Sequence, residues 1–328
     1  MAFPNEALTT LRPDLGAAVI EFNAAIESQG FIASQVLPVI EVPEKKGTYG
    51  LVPLKEVSQG FAGSRAPGSG YGRVTSSFGD ASYACQDYGA EYVLDDNDAA
   101  AYRNYFDGEV FGAQVALLRT IGAYEKRVAD AIFSTSTWTG ANYTTAVSNE
   151  WDDAHNATPI TDVRTAVKKI RDRCGMIANT IVMDWEVFQN LIMCQQIQDA
   201  IKADGAGDPA KVMDINVQKI AEVFGIPKVL VSGAIYNSAN YGQSKSLSSI
   251  WDDEYVWIGV TAETNLPQEA CVGRTFHWSA DGSQIGGTFE TYREEDKRST
   301  IIRCRHETDE VIYTNGADCG HLLSNITS

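Results

Sequence analysis

The 328-residue sequence lacks long apolar runs, and its longest apolar stretches, such as Val229 to Val231, are the size of a strand. A membrane helix needs about 18 to 20 apolar residues in succession, so we expect no membrane span. The first residues, MAFPNEALTTLRPDLG, do not have a basic segment followed by an apolar one, so we expect no secretion signal. Neither feature indicates a membrane partner.

Basic residues are also few, with 26 lysines and arginines against 43 aspartates and glutamates and a net charge of −17. Proteins that grip nucleic acid do so by neutralising phosphates with Lys and Arg, which makes direct DNA or RNA binding a poor explanation. A wall that encloses nucleic acid without binding it is compatible with this charge, but so are many acidic cytosolic proteins. The six cysteines show no CxxC spacing, and we expect reduced, mostly buried thiols.

Recognisable catalytic motifs are missing as well. The glycine-rich GSGYG at 68–72 is not followed by GK[ST], there is no GxSxG, and the four histidines form no HExxH or His–Cys cluster. Several acidic clusters do not match a calcium loop, and helix caps, loops or subunit contacts are the better interpretation. A carboxylate-dependent hydrolase using Asp152 or Asp253 stays open, and it predicts a pocket with two carboxylates whose pKa values are pushed apart. The clusters are Asp95, Asp96 and Asp98; Asp152 and Asp153; and Asp252, Asp253 and Glu254.

The N-terminal third combines a short helical pattern with a long excursion of the chain. Leu15, Val19, Phe22 and Ile26 share one face of a helix predicted from Asp14 to Gln29. Two strand-like, proline-flanked pieces follow, then the glycine-rich 60–73, then a return strand rich in aromatic residues. Prolines confine such strands to sheet edges, and an isolated two-stranded ribbon is marginal in water. We therefore expect the excursion to need a neighbouring surface.

The remainder of the chain alternates between helical and strand patterns. Apolar residues spaced three or four apart from Tyr102 to Ile132 predict a long helix, with glycines at which it could bend. Next come predicted helices Thr161–Arg173, Trp185–Lys202 and Asn216–Phe224 around strands Asn179–Met183, Lys228–Ser232 and Tyr255–Val260, a compact α/β unit. The chain ends in two strands joined by the charged turn REEDKR at 293–298.

This order of elements resembles the major capsid proteins of tailed bacteriophages, whose Hong Kong 97-type fold is shared with encapsulin nanocompartments. LPVIEVPEKKGTYGLVPL and FGDASYACQDYGAEYVLDDND resemble the two sides of the E-loop, and 99–133 resembles the spine helix. NTIVMDWEVFQNL and IAEVFGIPKVLVS resemble the axial domain, and TFETYREEDKRSTIIRCRHETDEVIY resembles the closing peripheral strands. The implied α+β fold has an N-terminal arm (1–36), an E-loop formed by an extended β-hairpin (37–94), a peripheral domain with spine helix (95–175), an axial α/β domain (176–270) and a return to the peripheral domain (271–328).

The resemblance implies a structural protein of the virion and no enzyme, catalytic residue, cofactor or metal site. Copies would assemble in the host cytoplasm into pentamers and hexamers of an icosahedral shell, enclosing double-stranded DNA without binding it specifically. Scaffold, portal and decoration proteins are candidate partners. An encapsulin-like shell around protein cargo is the alternative within the same class. The residues expected at subunit contacts are Lys55, Arg65, Tyr71, Arg73, Arg293, Glu294, Glu295, Lys297 and Arg298.

Overall fold

The structure is a computed structural model that describes most of the chain after residue 30. The described residues are 10–11, 30–51, 64–65, 67–68, 71, 79–102, 107–204, 216–240, 242–266, 269–280, 282, 285–313 and 316–328. The helix predicted from Asp14 to Gln29 therefore lies outside them, as do Lys55 and Arg73. No helix in this part of the chain is both long and apolar enough to span a lipid bilayer.

Strands and helices mix along the chain, as the expected α+β class requires. The strands are β1 Thr10–Leu11, β2 Val39–Val42, β3 Lys46–Leu51, β4 Gly79–Ala84, β5 Gln86–Asp95, β6 Thr144–Ala146, β7 Thr180–Asp184, β8 Lys228–Ser232, β9 Ile235–Asn237, β10 Leu247–Ser249, β11 Tyr255–Gly259, β12 Gly273–Trp278, β13 Thr288–Glu294, β14 Ser299–Ile312 and β15 Gly320–Ser324. The helices are α1 Ala33–Val36, α2 Asp96–Tyr102, α3 Gly108–Ile132, α4 Pro159–Cys174, α5 Trp185–Met193, α6 Gln195–Asp204 and α7 Val217–Phe224, with 3₁₀ turns at Glu295–Lys297 and Gly316–Cys319.

The first sheet is organised by β14, a strand of 14 residues. Its first half pairs with β13 on one side and β5 on the other, and its end pairs with β12. The full order is β1-β13-β14-β12-β2, with β5 joined to β14. The edge strand β2 lies between Pro38 and Pro43, which confirms the expectation that prolines place this piece at an edge.

The long helix α3 packs across β5 and β14 of this sheet. It runs unbroken through Gly112 and Gly122 for 25 residues, or about 38 Å at 1.5 Å per residue. A Cβ on Gly112 would lie 2.6 Å from the Tyr92 ring and 2.8 Å from the Ile302 side chain, so only glycine allows this approach. The predicted stripe is nevertheless divided, because Asp107 is extended and caps α3 through the Glu109 amide at 3.0 Å.

The second sheet has the order β6-β15-β11-β7-β8 and belongs to the predicted α/β unit. Its strand β7 is buried at every position, and apolar residues of α4, α5 and α7 share its core. The predicted helix from Trp185 to Lys202 is wrong in one respect, because Cys194 is extended and separates α5 from α6. Its thiol lies 3.2 Å from the Trp151 carbonyl, and the Gln195 amide donates to the Ala154 carbonyl, so tertiary contacts fix the break.

A third cluster of buried side chains joins the two sheets. It combines α1, the second half of α3 and tryptophans from the α/β unit that contains the second sheet (called the second unit below), including Trp251 and Trp257. All six cysteines are free and buried, as the spacing of the cysteines suggested. The two sheets therefore share one hydrophobic core between them. Strands β3 and β4, in contrast, pair only with each other among the described strands.

Candidate assembly surfaces

The ribbon, defined as β3 with β4, has the register Lys46 to Ala84 through Leu51 to Gly79. Its base is fixed to the first sheet by aromatic rings. Tyr83 stacks on Phe276 with ring centroids 4.6 Å apart, and Tyr49 stacks on the same ring at 5.4 Å. Tyr313 completes this group, 5.3 Å from Tyr49. The predicted excursion is thus anchored at its foot by apolar packing.

Polar contacts reinforce the foot of the ribbon. The Lys45 ammonium lies 2.5 Å from the carboxylate of Glu307, and the Ala84 amide donates to Asp309 at 2.8 Å. Burial raises the pKa of Asp309 above its usual value, against the lowering effect of that amide. Both carboxylates belong to β14, so the central strand of the first sheet also holds the two residues at the foot of the ribbon.

Two of the four predicted contact residues of the E-loop lie in the described part of the chain. The Arg65 guanidinium lies 5.0 Å from the Tyr71 ring centroid, a cation–π distance. Tyr71 is 76% exposed. The structure therefore brings Arg65 and Tyr71 together, whereas Lys55 and Arg73 lie outside the described residues.

The charged turn, Arg293 to Arg298, connects β13 to β14 as predicted, and ion pairs within the chain order it. Arg293 donates to both carboxylate oxygens of Asp96, at 2.8 and 2.7 Å, and its Nε also contacts Glu295 at 3.1 Å. Lys297 pairs with Glu294 at 2.6 Å. The hydrogen bond from Arg293 lowers the pKa of Asp96. Asp96 is thus a partner of the turn within the same chain, whereas the sequence suggested helix caps, loops or subunit contacts for its acidic cluster.

Arg298 differs from the other residues of the turn in its backbone. It is exposed and adopts the left-handed conformation, with φ 48° and ψ 45°. Its amide donates to the Glu295 carbonyl at 3.1 Å and closes the turn, and its carbonyl accepts the Asp96 amide at 3.1 Å, which ties the turn to the residue after β5. A non-glycine residue in this conformation costs about 1 kcal/mol.

A polar group on the buried side of α3 locks this helix to β14. Arg127 donates to both carboxylate oxygens of Glu310, at 3.0 and 2.9 Å, and its guanidinium lies 3.6 Å from the Tyr88 ring centroid. Two residues earlier in the helix, Glu125 accepts hydrogen bonds from the Ile32 and Ala33 amides, both at 2.9 Å. Neither Glu125 nor Arg127 was singled out from the sequence, where each looks like an ordinary charge between apolar positions.

The carboxylates considered for hydrolysis have local roles in the structure. Asp152 accepts hydrogen bonds from the Ser328 amide and hydroxyl, and the backbone carbonyl of Asp253 accepts the Thr327 hydroxyl at 3.3 Å. None of the three described surface cavities is lined by Asp152 or Asp253. Among the described residues, no group of His, Cys, Asp and Glu side chains could hold a metal ion.

Acid is expected to weaken the second unit through His321, a buried histidine of β15. Its Nε2 lies 2.9 Å from the Thr145 hydroxyl, and its Nδ1 lies 3.1 Å from the Asn142 carbonyl, so the neutral ring accepts at one nitrogen and donates at the other. Burial, with Lys169 and Arg173 nearby, lowers its pKa from 6.5 to about 4. Between these values the unfolded chain binds the proton more tightly, so stability falls as pH falls from about 6.5 to about 4, by up to about 3 kcal/mol.

The measurement is the free energy of unfolding in urea at pH 7 and at pH 4.5. His321→Gln should lower stability at pH 7 and shrink the loss between the two pH values. His155→Gln is the matched control, since His155 is exposed and its ring lies 3.3 Å from the Gln195 side-chain oxygen at the surface. An unchanged pH dependence in His321→Gln would contradict the assignment.

Comparisons with known proteins agree along almost the whole chain. No family model matches the sequence. The sequence is 25% identical over 307 residues to the major capsid protein of Burkholderia phage BcepMu, covering 90% of this chain and 91% of that protein. Among solved structures, a phage-related protein from Bordetella bronchiseptica RB50 matches with a TM-score of 0.67 at 15% identity, covering 97% of this chain and 98% of that one.

Two further solved structures share the fold. The capsid structure of cyanophage P-SCSP1u matches with a TM-score of 0.56 at 11% identity, covering 99% of this chain and 92% of that one. The holo-SrpI encapsulin complex from Synechococcus elongatus PCC 7942 matches less well, with a TM-score of 0.50 at 10% identity and coverage of 89% and 86%. The chain has the Hong Kong 97-type capsid fold, and nine-tenths of its sequence is similar to the major capsid protein of Burkholderia phage BcepMu.

Proposed function

We propose that this chain is a phage major capsid protein, a structural subunit that assembles in many copies as pentamers and hexamers of an icosahedral shell around double-stranded DNA. Its sequence relative is named a major capsid protein, and the match covers nine-tenths of both proteins. The fold is that of phage capsids such as that of cyanophage P-SCSP1u. The subunit would be part of the virion after assembly in the host cytoplasm.

The observation that carries this proposal is the ribbon. Its two strands pair only with each other among the described strands, and its aromatic anchor lies at the foot. A two-stranded ribbon is marginal in water without a surface to pack on. Further copies of the same chain supply such a surface, and repeated identical contacts of this kind close into symmetric shells.

The charge and the chemistry of the described residues fit a wall that does not react with its contents. A net charge of −17 disfavours gripping of phosphates, so the enclosed DNA would be contained and not bound specifically. We propose no catalytic activity, cofactor or metal. Scaffold, portal and decoration proteins are the partners that such a shell would use.

Subunit contacts are proposed at the ends of the two exposed features. The residues are Lys55, Arg65, Tyr71 and Arg73 of the E-loop, and Arg293, Glu294, Glu295, Lys297 and Arg298 of the charged turn. The support is that Arg293 is already paired with Asp96, which holds the turn in shape, whereas Glu295 and Arg298 are exposed at its tip. A turn that is already ordered within its own subunit loses little conformational entropy when a neighbouring subunit binds it.

Arg298→Gly separates the role of the side chain in assembly from its role in the fold. Removal of the left-handed strain should leave the subunit as stable as before or up to about 1 kcal/mol more stable. Shell yield should nevertheless fall, because a charge at the proposed contact is gone. Thermal unfolding and the sedimenting fraction measure the two effects, with Lys245→Gly, an exposed lysine of another loop, as the control for loss of one positive charge. Undiminished shell yield would remove Arg298 from the proposed contact.

Electron microscopy of the expressed full-length chain tests the proposed function directly. Negative stain should show closed particles, and their content distinguishes the two shell types. A phage shell is expected to protect double-stranded DNA from nuclease in infected or induced cells, whereas an encapsulin-like shell would enclose protein. The match to an encapsulin structure keeps that second possibility in the experiment. Only monomers at every protein concentration and ionic strength would contradict both.

A further inference from the structure

A groove runs beside α3, between this helix and the β9–β10 hairpin. Its volume is about 480 Å³. The lining is apolar except for two basic residues of the helix. It consists of Phe31, Leu118, Arg119, Gly122, Ala123, Lys126, Ile235, Tyr236 and Ile250. No contact assigned above to the sheets, the ribbon or the charged turn uses this groove.

The groove is open and leaves apolar side chains uncovered. A Cβ built on Gly122 would meet no atom within 4 Å, so the surface of α3 is free there. On the opposite wall, Ile235 is 57% exposed and Tyr236 is 40% exposed. Exposed apolar patches with a polar rim are typical of sites that another segment or protein covers. The question is which segment lies there.

The path of the chain points to its own N-terminal region. Leu11 pairs with Glu290 on the edge of β13, so the chain passes the first sheet before residue 12. It returns at Gly30, where a Cβ would lie 2.5 Å from the Gly233 amide nitrogen, and the Gly30 carbonyl accepts the Ser232 hydroxyl. The next residue, Phe31, already lines the groove. Residues 12 to 29 are thus followed directly by a residue pair, Gly30 and Phe31, at one wall of the groove.

The sequence between these two points complements the groove in shape and charge. Residues 12 to 29 carry the apolar stripe of Leu15, Val19, Phe22 and Ile26 on one helical face. They contain one arginine against three carboxylates, whereas the charged side chains lining the groove are Arg119 and Lys126. As a helix, 18 residues would span about 27 Å, enough to lie along the groove and still reach the sheet edge.

We propose that this groove is a docking site for an acidic amphipathic helix, and that residues 12 to 29 of the same chain occupy it. The stripe packs on the wall formed by Phe31, Ile235 and Tyr236, and the carboxylates lie near the basic residues of α3. The occupant belongs to the same subunit because both of its ends are fixed on that subunit. This contact does not depend on shell formation, so it stands or falls separately from the proposed function.

Site-specific photocrosslinking in the full-length protein tests the proposal. Tyr236 is replaced by p-benzoylphenylalanine, an aromatic residue of similar shape, and the irradiated protein is digested and analysed by mass spectrometry. We expect crosslinks to the peptide that contains Leu15 to Ile26. In a mixture of ¹⁴N- and ¹⁵N-labelled protein, these crosslinks should join peptides of the same isotope. Crosslinks to other segments, mixed-isotope crosslinks, or none would overturn the proposal.

Two substitutions within the segment test the predicted face. Phe22→Asp, on the stripe, should lower the crosslink yield at least tenfold, whereas Ile20→Asp, on another side of the helix, should change it less than twofold. The same photoreactive residue at Ile177, which is 68% exposed next to the second sheet, should give no crosslink to residues 12 to 29. Equal effects of Phe22→Asp and Ile20→Asp would overturn the assigned face. Circular dichroism confirms that each variant is folded. The crosslinking experiment with the unsubstituted segment tests docking without relying on either variant.

Discussion

Deletion of residues 60 to 73 is expected to abolish shell formation while the subunit remains folded. The 14 residues GFAGSRAPGSGYGR form the glycine-rich end of the excursion and include Arg65, Tyr71 and Arg73, three of the proposed contact residues. The foot of the ribbon is left intact, because Tyr49 and Tyr83 keep their stacking on Phe276. The subunit should therefore lose its reach to a neighbour and keep its core.

Two measurements separate these effects. Thermal unfolding followed by circular dichroism should give a midpoint within a few degrees of the full-length chain, and electron microscopy should show no closed particles. A second variant that replaces the same 14 residues by glycine and serine keeps the length but removes the arginines and the tyrosine. If both variants fail to assemble, the side chains matter. Shells in normal yield from the deletion variant would contradict the role given to the ribbon.

Local periodicity in the sequence was enough to predict the elements that have one buried face. The three-and-four spacing around Tyr124, Val128 and Ile132 predicted α3, and all three side chains are buried. The glycine-rich tip between strand-like pieces predicted the ribbon, and β3 and β4 confirm it. The charged run at 293–298 predicted a turn between two strands, which is also confirmed. In each case the signal lies within about one element length.

What the sequence did not reveal depends on partners far away along the chain. The break at Cys194 is caused by contacts with Trp151 and Ala154, about forty residues earlier, and nothing in the local pattern opposes a continuous helix. The pair of Arg293 with Asp96 joins residues 197 positions apart. Pairing partners of β14 belong to the same category, since a long alternating strand is compatible with many neighbours.

Glu125 illustrates the limit most clearly. In the sequence it is one charge beside the apolar stripe of α3, and most charges in such positions face solvent. In the structure its side chain lies in the interior shared by the two sheets, with partners 92, 93 and 126 residues away. A buried carboxylate and a surface carboxylate have the same sequence appearance, so only the assembled fold distinguishes them.

Replacement of Glu125 by alanine is expected to destabilise the subunit by about 4 kcal/mol, because buried donors would be left without an acceptor. The donors are the Ile32 and Ala33 amides, at 2.9 Å, and the Trp251 indole nitrogen, at 2.6 Å. Burial raises the pKa of this carboxyl, and the three hydrogen bonds act against that effect by favouring the charged form. Glu125→Gln keeps one acceptor oxygen and should cost less than Glu125→Ala.

Urea unfolding followed by tryptophan fluorescence measures the loss, and Trp251 reports on the site itself. Asp130→Asn is the matched control on the same helix, because Asp130 is exposed and makes an i, i+4 pair with Lys126 that is worth at most about 0.5 kcal/mol. Amide exchange at Ile32 and Ala33 should also accelerate in Glu125→Ala. A loss below about 1 kcal/mol would contradict this role, because it would show that water or another acceptor takes the place of the carboxylate. The expected loss follows from the position of Glu125 on α3, where its carboxylate joins the backbone at Ile32 and Ala33 to Trp251 of the α/β unit. Among the described contacts, these three donors have no other acceptor.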